Sequence, residues 1–219
     1  MSAARHRGWL AAVAMVSLGL SGCVTVAPLD YSAFRKSPPR SILILPPINE
    51  STAIEGTYSY LSTVSRPVAE RGYYVFPVAV VDQLLKENGM PTPGEMHQVS
   101  LEKIREITGA DAVLYPVLHE YGSKYHLLSS DTRVRVSARL VDTRSGVLLW
   151  ENTGMAESGS GNNSGNFLAT LIAAAIVQAI NSRLDPSHAV SQQANVLLFG
   201  TRTRELPFGP YHPDFGKKF

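Results

Sequence analysis

Apolar positions recur along this chain in two rhythms, and the change of rhythm marks out its elements. Ile42-Leu-Ile-Leu45 is a short, wholly apolar run halted by Pro46-Pro47, which predicts a buried central strand. Thr57 to Arg71 sets Tyr58, Leu61, Val64 and Val68 at helical spacing, with Pro67 placed to kink or break the helix and Gly72 capping its end. Tyr73 to Val78 predicts a second strand, Val80 to Glu87 a short helix stopped by Asn88-Gly89, and Met90 to Gly94 a turn-rich link. Ser100 is placed to cap a helix over Leu101 to Thr108, which Gly109 ends. Asp111 to Tyr121 reads as a strand again, apolar throughout Ala112 to Leu118.

The period then shortens. Arg133, Arg135, Ser137 and Arg139 alternate with Val134, Val136, Ala138 and Leu140, which predicts a half-buried strand with a basic outer face. That face is either simply solvated or meets an acidic partner. Asp142 to Gly146 turns the chain into Val147-Leu-Leu-Trp150 as a hairpin partner. A βαβα(α)β order followed by an antiparallel pair predicts the α/β (α+β) class, with helices packed on a single mixed β-sheet. A Gly/Ser/Asn loop over Ser158 to Gly165 leads to a helix over Phe167 to Leu184 that is uncharged until Arg183. Its face of Leu168, Leu171, Ile172, Ala175, Ile176 and Ala179 is a candidate interface for a partner or a second copy, the simpler role being burial against the chain's own sheet. After Asp185-Pro186, the C-terminal stretch holds one strand-like run, Val196-Leu-Leu-Phe199.

The N-terminus carries targeting chemistry. Arg5, His6 and Arg7 precede an apolar run from Trp9 to Leu18, too short to span a bilayer, and Leu20-Ser21-Gly22-Cys23 follows directly. The tetrapeptide resembles the bacterial lipobox, in which small residues admit the processing enzymes to a cysteine that receives lipid. This divides the chain into a signal peptide (1–22), a lipidated tether (23–40), a mixed α/β domain (41–185) and a C-terminal extension (186–219). A tether of about 17 residues reaches at most roughly 60 Å. Val24 is not the Asp that lipoprotein sorting uses for inner-membrane retention, so the expectation is an outer-membrane lipoprotein with its domain in the periplasm. Cys23 is the chain's one cysteine, so no internal disulfide can form.

Charge and candidate chemistry narrow the function. The 219 residues are 44% hydrophobic and 17% charged, a globular composition. Arg5 and Arg7 are the only charges ahead of Cys23, so 18 of the 20 basic residues remain against 18 acidic ones. A neutral mature chain gives no electrostatic footprint for nucleic acid. His97, His119, His126, His188 and His212 are scattered without metal-ligand spacing, and His119-Glu120 lacks the second His of a zincin helix. No Gly-x-Ser-x-Gly elbow occurs, and Gly159-Ser-Gly161 is too tight for one. The loop over 159–165 lacks both a parallel βα unit before it and the Lys-Ser/Thr that grips phosphates. No catalytic residue, metal ligand or cofactor is therefore assigned beyond covalent lipid on Cys23.

Ile42-Leu-Ile-Leu-Pro-Pro47 together with Leu140-Val-Asp-Thr-Arg-Ser-Gly-Val-Leu-Leu-Trp150 resembles the N-terminal domain of TolB and the periplasmic domain of CsgG-type secretion lipoproteins. The lipobox, Ala110-Asp-Ala-Val-Leu-Tyr115, the alanine-rich helix and the tail Phe208-Gly-Pro-Tyr-His-Pro213 are similar to a family of bacterial lipoproteins of unassigned function, some known as surface antigens. The resemblance implies a non-enzymatic structural or accessory component of an envelope or secretion complex. Its partners would be the membrane through lipid, a CsgG-type lipoprotein or other envelope protein, and further copies of itself. No segment shows the roughly ten-residue alternation of a barrel strand, so pore formation by this chain alone is not expected. Two alternatives are a periplasmic regulator of peptidoglycan synthesis, as the lipoprotein LpoB is, and an envelope glycan hydrolase. The first calls for a long tether and the second for a cleft with perturbed carboxylates.

Overall fold

The computed structural model describes residues 29–125, 130–158 and 185–217. The lipobox residues Leu20, Ser21, Gly22 and Cys23, the glycine loop, and the helix face from Leu168 to Ala179 lie outside them. The elements run α1 (Ser32–Lys36), β1 (Ser41–Ile44), β2 (Ile48–Asn49), α2 (Gly56–Glu70), β3 (Tyr74–Val75), α3 (Val78–Glu87), α4 (Pro93–Met96), α5 (Leu101–Thr108), β4 (Ala112–Tyr125), β5 (Ser130–Asp142), β6 (Leu148–Ser158) and α6 (Pro186–Gly200). They form one mixed sheet in the order β3-β1-β4-β5-β6, with β2 also pairing on β4. β1 pairs in parallel with β3 and β4, whereas β4, β5 and β6 are antiparallel. The fold is the mixed α+β sheet that the pattern predicts.

The two rhythms correspond to two kinds of covering. On β1, Ile42 and Ile44 join one core with Tyr60, Leu61, Val64 and Val68 of α2 and Val190, Ala194 and Leu198 of α6. Leu43 and Leu45 point the other way, into a second core with Val81 and Leu85 of α3, Met96 of α4 and Ile104 of α5. A strand buried on both faces has no polar positions to alternate. On β5, Val134, Val136, Ala138 and Leu140 face α2 and α6, and the alternate residues face out.

Local signals hold at several joints. Ser100 accepts the Lys103 N–H, and Gly109 takes the left-handed φ of 72° that ends α5. Thr92 and Glu95 form a reciprocal capping box on α4. Pro67 does not break α2, which continues to Glu70. An interior proline costs about 3 kcal/mol, whereas burying Tyr60, Leu61, Val64 and Val68 gains roughly 2 kcal/mol each. Packing therefore wins.

Four expectations are corrected. The tether does not extend to residue 40: Ser32–Lys36 is helical, Phe34 is buried, and Leu29 and Tyr31 pack against the core. Residues 186–219 are not an extension: α6 is a wall of the main core, and Val196–Phe199 belongs to it as helix. Val190, Ala194 and Leu198 recur every fourth residue and are fully buried. The predicted second strand shrinks to Tyr74–Val75, because Pro77 leads directly into α3. Finally, β4, β5 and β6 have 14, 13 and 11 residues, so strands of barrel length do occur. The apolar side of β5 is spent on the core and its outward side is polar, the reverse of a lipid-facing strand.

α6 lies close on the sheet because β6 has a glycine beneath it. A Cβ on Gly154 would stand 2.3 Å from the Ala194 carbonyl oxygen. Trp150 stacks on Phe199 at 5.6 Å and donates its ring N–H to the Arg204 carbonyl. Buried Asn195 accepts the Tyr60 hydroxyl at 2.7 Å and donates to Thr63, tying α6 to α2. The tail is a clasp on the end of α2. The Gly209 N–H donates to the Arg71 carbonyl at 2.7 Å and the Tyr211 N–H to that of Gly72, while the Tyr73 hydroxyl donates to the Pro207 carbonyl. Gly209 has backbone at Cβ distance, so only glycine fits there.

Candidate functional site

Helices α3, α4 and α5 cover one face of the parallel half of the sheet and stop at Tyr115. Beyond it, no described helix covers the outer face of β4, β5 and β6, and the polar residues of the chain's centre gather there. This face owes its chemistry to a β-bulge. Between Leu118 and Glu120 the β4–β5 register shifts: Leu118 pairs with Val136 and Glu120 with Arg135, leaving His119 as the extra residue. A bulge turns two successive side chains to one side, so His119 and Glu120 both reach the outer face while Leu118 and Tyr121 stay inside.

β2 brings in a third group. Its parallel pairing of Ile48 with Val117 and Asn49 with Leu118 sets Glu50 beside the bulge, its N–H donating to the Leu118 carbonyl. His119 Nδ1 lies 2.6 Å from Glu50 Oε2, and His119 Nε2 lies 2.7 Å from Ser137 Oγ. A carboxylate can only accept, so the Nδ1–H donates to Glu50, and Nε2 shares a hydrogen bond with the Ser137 hydroxyl. Next to this relay, Glu120 accepts from Arg135 Nε at 2.8 Å, and Arg133 bridges Glu120 and Glu157. The Glu157 carboxylate raises the pKa of Arg133. A shallow depression of about 260 Å³ lies between Glu50–Thr52 and the strand residues His119 to Ser123 with Arg133. A second, of about 520 Å³, runs from Ser137 and Arg139 to Glu151, Thr153 and Arg204.

Ser137, His119 and Glu50 have the spacing of nucleophile, base and orienting carboxylate, a constellation that sequence reasoning missed. The residues lie far apart in the chain; the local signal was the pair of adjacent polar residues His119-Glu120 interrupting a strand. The surroundings do not complete an acyl-transfer site. Ser137 sits mid-strand in β5, between β4 and β6, where the backbone N–H groups are committed to the ladder. An oxyanion hole needs free, convergent donors. The basic stripe is where the pattern put it, but Arg133 and Arg135 have acidic neighbours on the same sheet. Among the described residues, no three His, Cys, Asp or Glu side chains converge as metal ligands, and no helix is long and apolar enough to cross a membrane.

Among the described residues, helices cover one half of the mixed α+β sheet on both faces and the other half on one. This fold occurs here in a lipoprotein, as the family shows. The chain belongs to the GNA1162-like lipoprotein family: the family described as "Putative lipoprotein GNA1162-like" matches residues 29–211. It is 44% identical over 179 residues to the protein named "Putative lipoprotein NMB1124/NMB1162" of Neisseria meningitidis serogroup B, covering 81% of this chain and 83% of the relative. The crystal structure of lipoprotein GNA1162 from Neisseria meningitidis is likewise 44% identical, with a TM-score of 0.55, covering 65% of this chain and 99% of that one.

Proposed function

We infer that this lipoprotein is a non-enzymatic, outer-membrane accessory component of an envelope complex, held by lipid on Cys23, that works by protein–protein contact through the open face and free edge of β4–β6. The observation that carries this reading is the asymmetric covering of the sheet. Among the described residues, three long antiparallel strands carry helices on one face only and end in an 11-residue edge strand, β6, with no strand beyond it. Long edges without proline attract added strands. The Ser137 relay serves this surface as a structural tie between β2, β4 and β5. The peptidoglycan-regulator alternative loses ground, because it calls for a long tether and the fold already begins at Leu29.

In-cell photo-crosslinking tests the reading, with the reactive residue placed at Thr153 on the open face or at Val80 on α3, and Cys23→Ala as the unanchored control. The expected outcome is an adduct with an envelope protein, a CsgG-type lipoprotein or another copy, from Thr153 only and lost without the anchor. Equal adducts from both positions would overturn the assignment of the surface. Labelling of Ser137 by a fluorophosphonate would overturn the non-enzymatic reading by showing an activated serine nucleophile.

A further inference from the structure

How near the anchor lies to the fold decides which end of the domain meets the bilayer, given the reading above that Cys23 carries the lipid. Leu29 and Tyr31 pack on the core, and the Tyr31 hydroxyl donates to the Glu205 carbonyl at 2.7 Å. Six residue steps from Cys23 to Leu29 span at most about 20 Å. β4 has 14 residues, about 45 Å at the rise of an antiparallel strand. The anchor therefore keeps the end holding α1 and the start of β1 within about 20 Å of the membrane, and the far end of β4 comes near it only if the strands lie flat on the bilayer.

That end is built for an interface with anionic headgroups. Arg35, Lys36 and Arg40 are all exposed, and among the described residues none of them has an acidic partner at ion-pair distance. From Val24 to Arg40 the only acidic residue is Asp30, so a neutral mature chain carries a local basic excess on the segment that leaves the anchor. The carboxylates nearby are already engaged. Asp111 accepts from Arg40 N–H, Ser41 and Arg144, and Asp142 accepts from Ser37, Ser145 and the Arg144 N–H. At the same end the β5–β6 turn exposes the apolar Val147 and Leu148, 46% and 41% accessible. Basic groups beside exposed apolar ones suit a headgroup region.

We propose that this end, formed by Arg35, Lys36 and Arg40 with Val147 and Leu148, docks on anionic phospholipid. β4, β5 and β6 then stand away from the membrane, and their open face and the β6 edge look sideways to neighbours in the same leaflet. The test uses the lipidated full chain in vesicles of phosphatidylethanolamine and phosphatidylglycerol, with phosphatidylcholine vesicles as the comparison. A spin label goes at Val147→Cys or at Ile54→Cys, a 91% exposed site on the loop packed beside Tyr121 and Gly122 far up β4. Collisions with a water-soluble nickel chelate should be suppressed at Val147 in the anionic vesicles only and stay unhindered at Ile54. Arg35→Gln, Lys36→Gln and Arg40→Gln should each shift the docked-to-free ratio about five-fold and together release Val147. Equal accessibility at both labels, with mass spectrometry showing Cys23 acylated, overturns the docking surface and leaves the anchor intact. An unacylated Cys23 overturns the anchor reading and the proposal with it.

Discussion

The two halves of one sheet differ in how their faces are covered. Around β1 and the start of β4, helices cover both faces, and Ile42, Leu43, Ile44 and Leu45 are all buried. Around β5 and β6, the described helices cover one face, and the other carries Arg133, Arg135, Ser137, Arg139 and Glu151. Two histidines mark the contrast. His97 lies under the doubly covered half, bonded to the Pro46 carbonyl at 2.9 Å and edge-on to Tyr115, and burial pushes its pKa below 6.5. His119 lies on the open face between Glu50 and Ser137. One half is a scaffold of fully buried apolar residues, and the other carries ion pairs that are partly open to solvent.

The largest break should come from the scaffold. Leu114→Ala, at a fully buried position on β4, should cost about 3 kcal/mol, read as a loss of denaturation midpoint at unchanged slope. Gly154→Ala should follow at roughly 2 kcal/mol, because the new methyl meets the Ala194 carbonyl and the Leu198 backbone and forces α6 off the sheet. Thermal unfolding of that variant should also show a weakened Trp150–Phe199 contact by near-UV dichroism.

A smaller effect is expected from pH. His97 is buried, bonded to a carbonyl and near the Arg139 charge, so the fold favours its neutral form. The unfolded chain binds the proton first, so this stabilisation is complete above pH 6.5 and is lost as pH falls toward the depressed folded value. His97→Gln, which keeps a donor for Pro46, should flatten the fall in melting temperature between pH 7 and pH 5. An unchanged slope would place the titrating group elsewhere. Smallest of all, Arg135→Ala on the open face should change stability by no more than about 0.5 kcal/mol, since the Arg135–Glu120 pair is solvent-accessible. A loss above 2 kcal/mol there would mean that the open face is part of the scaffold.

Much of the scaffold was legible because its signals are local. An unbroken apolar run announces a strand covered twice, alternation announces one covered once, and Ser100 and Gly109 bracket a helix through their own hydrogen bonds and φ. The candidate site was not legible. Glu50, His119 and Ser137 join only because β2 and β5 pair on opposite sides of β4 and a bulge adds one residue to it. Nor did composition reveal that Val196-Leu-Leu-Phe199 is helical, since four apolar residues suit either period until a partner surface selects one.

By itself, then, the sequence determined the class of fold and the side of β5 that is buried. Side-chain periodicity acts over a few residues and needs no knowledge of distant neighbours. Tertiary structure alone decided that α1 and α6 belong to the core, that the tail clasps the end of α2, and that the Glu50–His119–Ser137 relay exists at all. Each of those rests on contacts between residues more than fifteen positions apart, and only the completed sheet fixes the distances on which those contacts depend.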